Sequence, residues 1–272
     1  MNWPVNYMRS GWEPLRRSEA TRPEKRSLLK HFKADLHIHT CLSPCADWDM
    51  SPRKIIRRSQ EVQLDLIAVC DHNSAENTDA VMREGLRHGV CVVPGLEICS
   101  REEVHVLALF GELGQALAMQ DLVYAHLSGE NRPELFGHQI VATEADEVLA
   151  ESPRLLIGAT QLGLNDIVRA THDLNGLSLA AHVDRPANGI IHQLGFIPAD
   201  LDLDGVEVSY RIPPAAAKTT LPAIGHLPCV TSSDAHDLND IGRASTVLRM
   251  AAPTLAEIGW ALRGIRGRKL LI

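Results

Sequence analysis

Residues 34–40 read ADLHIHT, a short apolar strand that ends in two histidines with one residue between them. Side chains on a strand alternate between its two faces, so His37 and His39 lie on the same face. The polar stretch that follows runs into Ser51-Pro52, which is typical of a helix start. A strand, a loop and a helix in this order form a β/α unit, and the same order recurs along the chain.

Further strands are predicted where short apolar runs are bounded by polar or turn residues. They cover residues 65–70, 90–98, 104–110, 177–181, 205–209, 228–232 and 244–250. A tight polar segment separates the second of these runs from the third, which predicts an antiparallel hairpin. Helices are expected at 74–88, with Asn73 or Ser74 as the N-cap, and at 115–127, 164–174 and 254–263. Another is expected to start at Thr143-x-x-Asp146. Seven or eight such repeats are typical of a barrel or a doubly wound sheet.

Composition restricts the class of protein. The chain has 272 residues, of which 45% are hydrophobic and 22% charged, and this is ordinary for a globular chain rather than a disordered one. Its apolar runs are far shorter than the roughly 18 to 20 residues of a membrane-spanning helix. A formal net charge of −7 gives no general attraction to nucleic acid or to anionic lipid. Any contact with a polyanion is therefore expected to be local.

The first 33 residues differ from the rest in charge. They carry eight Lys and Arg side chains and three Glu, whereas the remainder is acidic. The segment lacks the apolar core of a secretory signal, and the six cysteines form no pair of CxxC units, so we expect free thiols in the cytoplasm. The expected organisation is a basic N-terminal arm at 1–33 and a barrel domain at 34–272 with an inserted subdomain at about 111–158.

Imidazoles and carboxylates end or follow almost every predicted strand. In a parallel barrel the carboxyl ends of the strands meet at one mouth, where reactive groups collect. The side chains expected there are those of His37, His39, His72, Glu97, His105, His182, Asp234 and His236, with Asp71 and Glu207 at comparable positions. Packing so many such groups together is costly without cations, and nitrogen and oxygen ligands suit zinc, manganese or iron. The joint pattern therefore predicts a site for more than one divalent ion.

Six motifs occur in an order that resembles the PHP (polymerase and histidinol phosphatase) family. They are DLHIHT (35–40), CDHN (70–73), GLEI (95–98), EVHVLALF (103–110), AAHVDRP (180–186) and SSDAH (232–236). The resemblance implies an α/β fold, a distorted (β/α)7 TIM-like barrel, here with the segment at about 111–158 as an inserted helical cap. It also implies two or three divalent metal ions and hydrolysis of phosphoester bonds by a hydroxide that bridges them.

The resemblance also implies roles for individual residues. The eight side chains at the strand ends become metal ligands, and Glu97, Asp234 and Arg185 are the expected catalytic residues. Glu97 would bridge two ions, Asp234 would orient the hydroxide, and Arg185 would either bind phosphate or pair with a barrel carboxylate. The family often has a further ligand in the loop after the His-x-His pair. Asp47 is the first choice because it is a hard, charged ligand, and Cys45 is the second because a thiolate favours zinc.

Three functions remain open at this point. The leading prediction is a phosphatase or phosphodiesterase that acts on phosphorylated small molecules. The first alternative is a nuclease or exonuclease acting on short RNA or DNA, for which the basic arm would supply backbone contacts that the acidic body lacks. The second is a non-catalytic, metal-stabilised scaffold domain. No membrane contact is expected, and the sequence does not point to a particular protein partner.

Overall fold

The computed structural model describes residues 28–271. Its strands are β1 (Lys30–Ile38), β2 (Leu66–Val69), β3 (Cys91–Cys99), β4 (His105–Leu109), β5 (Ile140–Ala142), β6 (Val148–Glu151), β7 (Leu177–Ala180), β8 (Gly205–Val208), β9 (Cys229–Thr231), β10 (Thr246–Met250) and β11 (Lys269–Leu271). Its α-helices are α1 (Pro52–Glu61), α2 (Thr78–His88), α3 (Leu113–His126), α4 (Pro133–Phe136), α5 (Leu164–Asp173), α6 (Ile190–Leu194), α7 (Pro214–Thr220) and α8 (Leu255–Leu262). The expected basic arm lies mostly outside the described residues, and its last four residues belong to β1.

One large sheet forms the body of the molecule, with the strand order β11-β10-β1-β2-β3-β4-β7-β8-β9. The strands β1, β2 and β3 are parallel, as are β7, β8 and β9, whereas β4 is antiparallel to both of its neighbours. A bridge between Ile38 and Ala235 brings the chain after β9 back to β1, so seven strands nearly close a barrel. The predicted distorted (β/α)7 TIM-like barrel and the predicted β3–β4 hairpin are confirmed.

The barrel strands are buried along almost their whole length because they are apolar on both faces. Every residue of β2, β4, β7 and β8 is buried. Leu36, Leu107 and Leu179 pack together inside the barrel, and α8 contributes Ile258 to the same core cluster. Continuous apolar runs are characteristic of strands that are covered on both faces. The packed interior leaves the ends of the strands as the places where polar groups can gather.

The predicted start of α2 at residue 74 is wrong, because the helix begins at Thr78. Asn73 has a left-handed backbone conformation with φ of 52°, which is incompatible with a helix cap. Its side-chain amide donates instead to the carbonyl oxygens of Leu156 and Gly158, both at 2.7 Å. Asn73 therefore attaches a distant loop to the barrel rather than starting a helix.

The helix predicted from Thr143 is also wrong, because this stretch is the turn of a hairpin between β5 and β6. The Oγ1 atom of Thr143 accepts hydrogen bonds from the backbone N–H groups of Ala145 and Glu147. Asp146 has a φ of 67°, which reverses the chain. The Thr-x-x-Asp pattern here stabilises a turn, since short polar side chains bond equally well to a turn backbone.

The segment expected to form an inserted helical cap, residues 111–158, contains α3, α4 and the β5–β6 hairpin. The helix α3 buries Ala116, Met119 and Val123 in a core cluster that also contains Leu96 of β3. This helix therefore packs on the outside of the barrel. A cap that acts as a separate subdomain stays a prediction.

Two further expectations concern the whole of the described chain. Within residues 28–271, no helix is both long enough and apolar enough to span a bilayer. All six cysteines are free thiols, as the sequence predicts. Four of them, Cys41, Cys70, Cys99 and Cys229, are buried in the structure.

Candidate metal centre

Eight side chains gather at the carboxyl end of the barrel and are called the histidine–carboxylate cluster here. They are His37, His39, His72, Glu97, His105, His182, Asp234 and His236. His236 is half-buried, and each of the others is at most 8% exposed. The strand-end pattern predicts all eight at one mouth, and the structure brings them together.

Strand ends place these side chains at the mouth. His37 lies near the end of β1 and Glu97 near the end of β3, while His105 begins β4, which runs in the opposite direction. His182 and Asp234 follow β7 and β9 with positive φ values of 26° and 49°. Such backbone conformations are unfavourable for residues other than glycine, and they persist where the surrounding structure holds a functional side chain in place.

Four side chains converge at the centre of the cluster. His37 Nε2 lies 3.1 Å from His39 Nε2, and Asp234 Oδ1 lies 3.4 Å and 3.2 Å from these two nitrogens. Glu97 Oε1 lies 3.5 Å from His37 Nε2, and Glu97 Oε2 lies 3.4 Å from His39 Nε2. Ligands bound to one ion at about 2.0 to 2.2 Å lie roughly 3 to 3.5 Å from each other. The spacing of these atoms is therefore that of ligands around a metal ion.

Glu97 also contacts imidazoles on its other side. Its Oε1 atom lies 2.8 Å from His105 Nδ1 and 3.0 Å from His182 Nε2. Its Oε2 atom lies 2.9 Å from His72 Nδ1. His72, Glu97 and His105 form a second group of potential metal ligands, and His39, His72 and His236 form a third. Glu97 therefore occupies a position from which one carboxylate can serve two ions.

The outer nitrogens of the central histidines are held by other polar groups. His37 Nδ1 lies 3.2 Å from Glu207 Oε1, and His39 Nδ1 lies 2.9 Å from Ser43 Oγ. The Ser43 hydroxyl in turn donates to Asp71 Oδ1 at 2.7 Å. Metal-binding histidines usually donate their second N–H to such a partner, which fixes the ring and directs the other nitrogen towards the ion.

These orienting groups are the part of the site that sequence reasoning missed. The sequence places Glu207 and Asp71 at strand ends without giving them a role, and Ser43 does not stand out in it. Position is the only available signal, since Glu207 lies in β8 and Asp71 directly follows β2 at the carboxyl end of the barrel.

The electrostatics of the cluster keep its carboxylates ionised. Burial raises the pKa of Asp234, but His37 and His39 outweigh this effect and hold the pKa well below its usual value. The pKa of Glu97 is also far below its usual value, because neighbouring imidazoles, His105 foremost, outweigh the effect of burial. Burial lowers the pKa of His37, yet the surrounding carboxylates, above all Asp234, raise it well above its usual value. A cation at the centre is therefore favoured, whether it is a proton or a metal ion.

The donor atoms fit a divalent metal. Because Nδ1 of both His37 and His39 is already engaged, their Nε2 atoms face each other at 3.1 Å, with two carboxylates beside them. Ionised carboxylates and imidazole lone pairs aimed at one point are the ligand forms that metal binding requires. Nitrogen and oxygen donors of this kind suit zinc, manganese or iron.

The structure does not bring Asp47, the first choice for an additional ligand, to the cluster. Asp47 is exposed, and its Oδ1 atom accepts a hydrogen bond from the backbone N–H of Asp49 at 2.8 Å, so the carboxylate stabilises its own turn. Cys45, the second choice, lies at the cluster instead, with Sγ 3.2 Å from His72 Nε2. Burial raises the pKa of this thiol, but hydrogen bonds with His236 and His72 lower it to about 6.

Arg185 lies beside the cluster, where its guanidinium pairs with Asp234 Oδ2. Its side chain is 32% exposed, so it also faces the mouth of the barrel. This position is compatible with both roles predicted for Arg185, which are phosphate binding and pairing with a barrel carboxylate.

A cavity of about 230 Å³ opens above the cluster. Ile157 lines one side of it, on the loop that Asn73 attaches to the barrel, and Ala187 and Asn188 line another. A larger cavity, of about 780 Å³, lies at the opposite end of the barrel and is lined by none of the cluster residues. The chemistry of the lining therefore singles out the smaller cavity as the candidate active site.

Known proteins resemble this chain in both sequence and fold. A family model described as PHP-associated matches residues 215–264. The lesion-specific endonuclease PfuEndoQ from Pyrococcus furiosus aligns with 89% of this chain and 58% of its own, with a TM-score of 0.70 and 21% identity. The chain shares the fold of this endonuclease, and one segment of it matches the PHP-associated family. The resemblance predicted from the six motifs is thus confirmed.

Two further proteins that resemble this chain have names that refer to action on nucleic acids. A structure of endonuclease Q with a 27-mer duplex containing an abasic lesion aligns with 88% of this chain and 58% of that one, with a TM-score of 0.65 and 20% identity. The 5'-3' exoribonuclease Rnm of Escherichia coli (strain K12) is 24% identical over 129 residues, which are 46% of this chain and 43% of that protein. The chain therefore spans about half the length of these relatives. Their names agree with the expected class of phosphoester hydrolases.

Proposed function

We propose that this PHP-type chain is a metal-dependent phosphoesterase, which hydrolyses a phosphoester bond at the mouth of the barrel. The observation that carries the proposal is the convergence of two imidazoles and two carboxylates at separations of 3.1 to 3.5 Å. The buried acids and imidazoles beside them supply further nitrogen and oxygen ligands for metal. The small cavity above the cluster gives a substrate access to it.

The cluster would hold two or three divalent ions. Such ions, when bound, lower the pKa of water to near neutrality and polarise a phosphoryl oxygen. Glu97 would be shared between ions because imidazoles contact both of its oxygens. Asp234 faces the central histidines and also lines the cavity, so its carboxylate would orient the attacking water.

Arg185 would bind the phosphate of the substrate. Its guanidinium lines the cavity beside the cluster and is partly exposed. Arg side chains bind phosphate oxygens through two parallel hydrogen bonds, and this geometry holds the reacting group in one orientation. The ion pair with Asp234 would keep the guanidinium in position before the substrate arrives.

The dimensions of the cavity favour small phosphoesters as substrates. A volume of about 230 Å³ is below the roughly 300 to 1,000 Å³ of most ligand sites, so it suits a phosphate on a small molecule or at a chain end better than the interior of a duplex. Trimming of short RNA or DNA from an end is the second candidate, and the names of the exoribonuclease and endonuclease relatives favour it. The six free thiols suit a reducing compartment, and we place the protein in the cytoplasm.

A substrate screen tests this proposal. Protein loaded with zinc, manganese or iron is assayed on phosphomonoesters, phosphodiesters and short RNA and DNA, with His37→Ala as the control. We expect hydrolysis of at least one substrate by the wild type and none by the variant. Metal-replete wild type that is inactive on the whole panel would contradict the proposal and favour the scaffold.

Salt dependence separates the two substrate classes. For RNA bound through its backbone, activity should fall steeply with salt, and this slope should flatten when residues 1–27, which precede β1, are deleted. Hydrolysis confined to small phosphoesters, with little dependence on salt, would indicate that the substrate is a phosphorylated small molecule.

A further inference from the structure

The cavity above the histidine–carboxylate cluster has a charged part and an uncharged part. Cluster residues and Arg185 supply the charged lining, and the rest of the lining consists of Ile157, Ala187 and Asn188. Ligand sites commonly combine a few charged groups, which fix the orientation of the ligand, with apolar surface that contacts the remainder of it. The phosphate of a substrate matches the charged part, so its leaving group would contact the three uncharged residues.

The uncharged part of the lining offers mainly apolar contacts to a leaving group. Ile157 is 37% exposed and Ala187 is exposed, and neither side chain has a polar atom. Asn188 is used to hold its own loop to the barrel, because its Nδ2 atom donates to the carbonyl oxygen of Glu103 at 3.0 Å. The carbonyl oxygen of Asn188 also accepts from the backbone N–H of His105 at 2.9 Å. A leaving group with many hydroxyl groups would therefore lose hydrogen bonds to water without equivalent partners here.

The loop that carries Ile157 is fixed to the cluster side of the barrel by Asn73. The side-chain amide of Asn73 donates to the carbonyl oxygens of Leu156 and Gly158, which flank Ile157 in the chain. Its Oδ1 atom accepts from the backbone N–H of Cys99 at 3.1 Å, at the end of β3. Because Asn73 directly follows His72 of the cluster, these bonds set the position of Ile157 relative to the candidate active site.

A second buried amide holds the same loop from the β5 side. Gln139 Oε1 accepts from the backbone N–H of Leu156 at 3.1 Å, and Gln139 Nε2 donates to the carbonyl oxygen of Ser152 at 2.8 Å. Asn73 and Gln139 are both fully buried, so movement of the loop would leave buried amide groups without partners. Ile157 is therefore a fixed side of the cavity rather than part of a mobile lid.

We propose that Ile157 is a specificity-determining residue, which selects phosphoesters with a small, apolar leaving group. The phosphate would bind at the cluster and Arg185, while the leaving group would pack against Ile157. A sugar would find too few hydrogen-bond partners on this side, and a leaving group larger than the cavity would collide with the fixed loop. This inference rests on the proposed function, within which it specifies the class of substrate.

Binding of two phosphonates tests the inference without a need for turnover. Methylphosphonate and butylphosphonate have the same charged group, and titration calorimetry on the full-length, metal-loaded protein compares their affinities. The wild type should bind butylphosphonate at least about tenfold more tightly, because three further methylene groups leave water. Most of this preference should be lost in Ile157→Thr, which exchanges apolar surface for a hydroxyl group. Ile157→Trp should weaken the binding of butylphosphonate more than that of methylphosphonate, because the indole fills the space of the butyl group.

Ile265→Thr is the matched control for these measurements. Ile265 is exposed to a similar degree, at 41%, and it follows α8 and does not line this cavity. The control should keep the wild-type preference, and all variants should contain as much metal as the wild type by elemental analysis. Equal affinities of the wild type for the two phosphonates, or an unchanged preference in Ile157→Thr, would overturn the role of Ile157.

Hydrolysis provides a second readout on two alkyl esters of similar size, butyl phosphate and glycerol 1-phosphate. The wild type should favour butyl phosphate in kcat/KM by at least about tenfold, and Ile157→Thr should reduce this ratio. A wild type that favours glycerol 1-phosphate, or that hydrolyses only oligonucleotides, would overturn the inference and leave the proposed phosphoesterase intact. A metal-replete wild type that binds neither phosphonate and hydrolyses no phosphoester would overturn both.

Discussion

The two ends of the barrel contain the same kinds of side chain in different arrangements. At the carboxyl end, His37 is fully buried and lies within 3.5 Å of three carboxylates. At the opposite end, beside the larger cavity, His172 is partly exposed and pairs with Asp204 at 2.9 Å, and Arg263 lies 3.4 Å from the same carboxylate. Asp204 at the opposite end is thus balanced by the positive charge of Arg263. At the carboxyl end, three buried acids lie near a single arginine, Arg185.

This difference shows that a histidine–carboxylate contact alone does not identify a metal site. Partly exposed pairs such as His172–Asp204 contribute little and need no further ligand. Several buried acids and imidazoles aimed at one point have a high desolvation cost, which a bound cation offsets. We therefore expect metal bound at the carboxyl end to stabilise the fold and to be required for activity. Substitutions at the opposite end should alter neither of these effects of metal.

The largest expected effect is that of Asp234→Ala. Removal of this carboxylate takes away a ligand at the centre of the cluster, and a loss of several kcal/mol of transition-state stabilisation corresponds to about a thousandfold or more in rate. Bound metal, measured by elemental analysis, should fall as well. His172→Ala at the opposite end is the control and should keep wild-type activity. Full activity of purified Asp234→Ala would end the assignment of the site.

Metal should also stabilise the fold. At a free metal concentration of about a hundred times the dissociation constant, a ligand that binds only the folded state adds about 2.7 kcal/mol to the free energy of unfolding. Urea unfolding with zinc or manganese, compared with unfolding in a chelator, measures this difference. The stabilisation should be absent in His37→Ala and retained in His172→Ala. Identical unfolding curves for the wild type in metal and in chelator would contradict a metal centre.

Each end of the barrel has one acid that holds a histidine ring nitrogen. Glu207 holds Nδ1 of His37, and Asp204 holds Nε2 of His172, so Glu207→Gln and Asp204→Asn each neutralise one orienting carboxylate. Loss of an orienting partner of a metal ligand typically lowers metal affinity or activity by about 10- to 100-fold. Titration with metal should show this loss for Glu207→Gln only. Equal effects of the two variants would mean that Glu207 does not act through His37.

The smallest expected effect comes from the arginines at the two ends. Arg185→Ala should raise KM by about tenfold, since it removes a charged hydrogen bond to phosphate, while kcat changes less. Arg263→Ala should leave both constants unchanged. If Arg185→Ala has an unchanged KM for every active substrate, Arg185 does not bind phosphate and only pairs with Asp234.

The periodic pattern of the sequence predicts the strands and the central ligands, and the resemblance of the six motifs then favours a barrel over a doubly wound sheet. Apolar runs define the strands, and a His-x-His pair at a strand end places two imidazoles on one face, as His37 and His39 show. The parallel strands then bring the other ligands to the same mouth. The grouping of the ligands requires only strand order and side-chain alternation, whereas the choice of a barrel depends on the resemblance.

Loop conformation is what the sequence does not reveal. Asp47 and Cys45 are two residues apart in one loop, and only backbone contacts decide which of them faces the cluster. Asn73 and Thr143 have the composition of helix caps but serve a loop attachment and a hairpin turn. Short polar side chains form the same local hydrogen bonds in several structures, so their tertiary contacts determine their role.

Anomalous diffraction from crystals of the protein grown with zinc or manganese locates the bound ions. We expect two or three peaks inside the histidine–carboxylate cluster, with Glu97 between two of them, and none at His172. Fully occupied metal found elsewhere on the protein, with the cluster free of anomalous signal, would contradict the account.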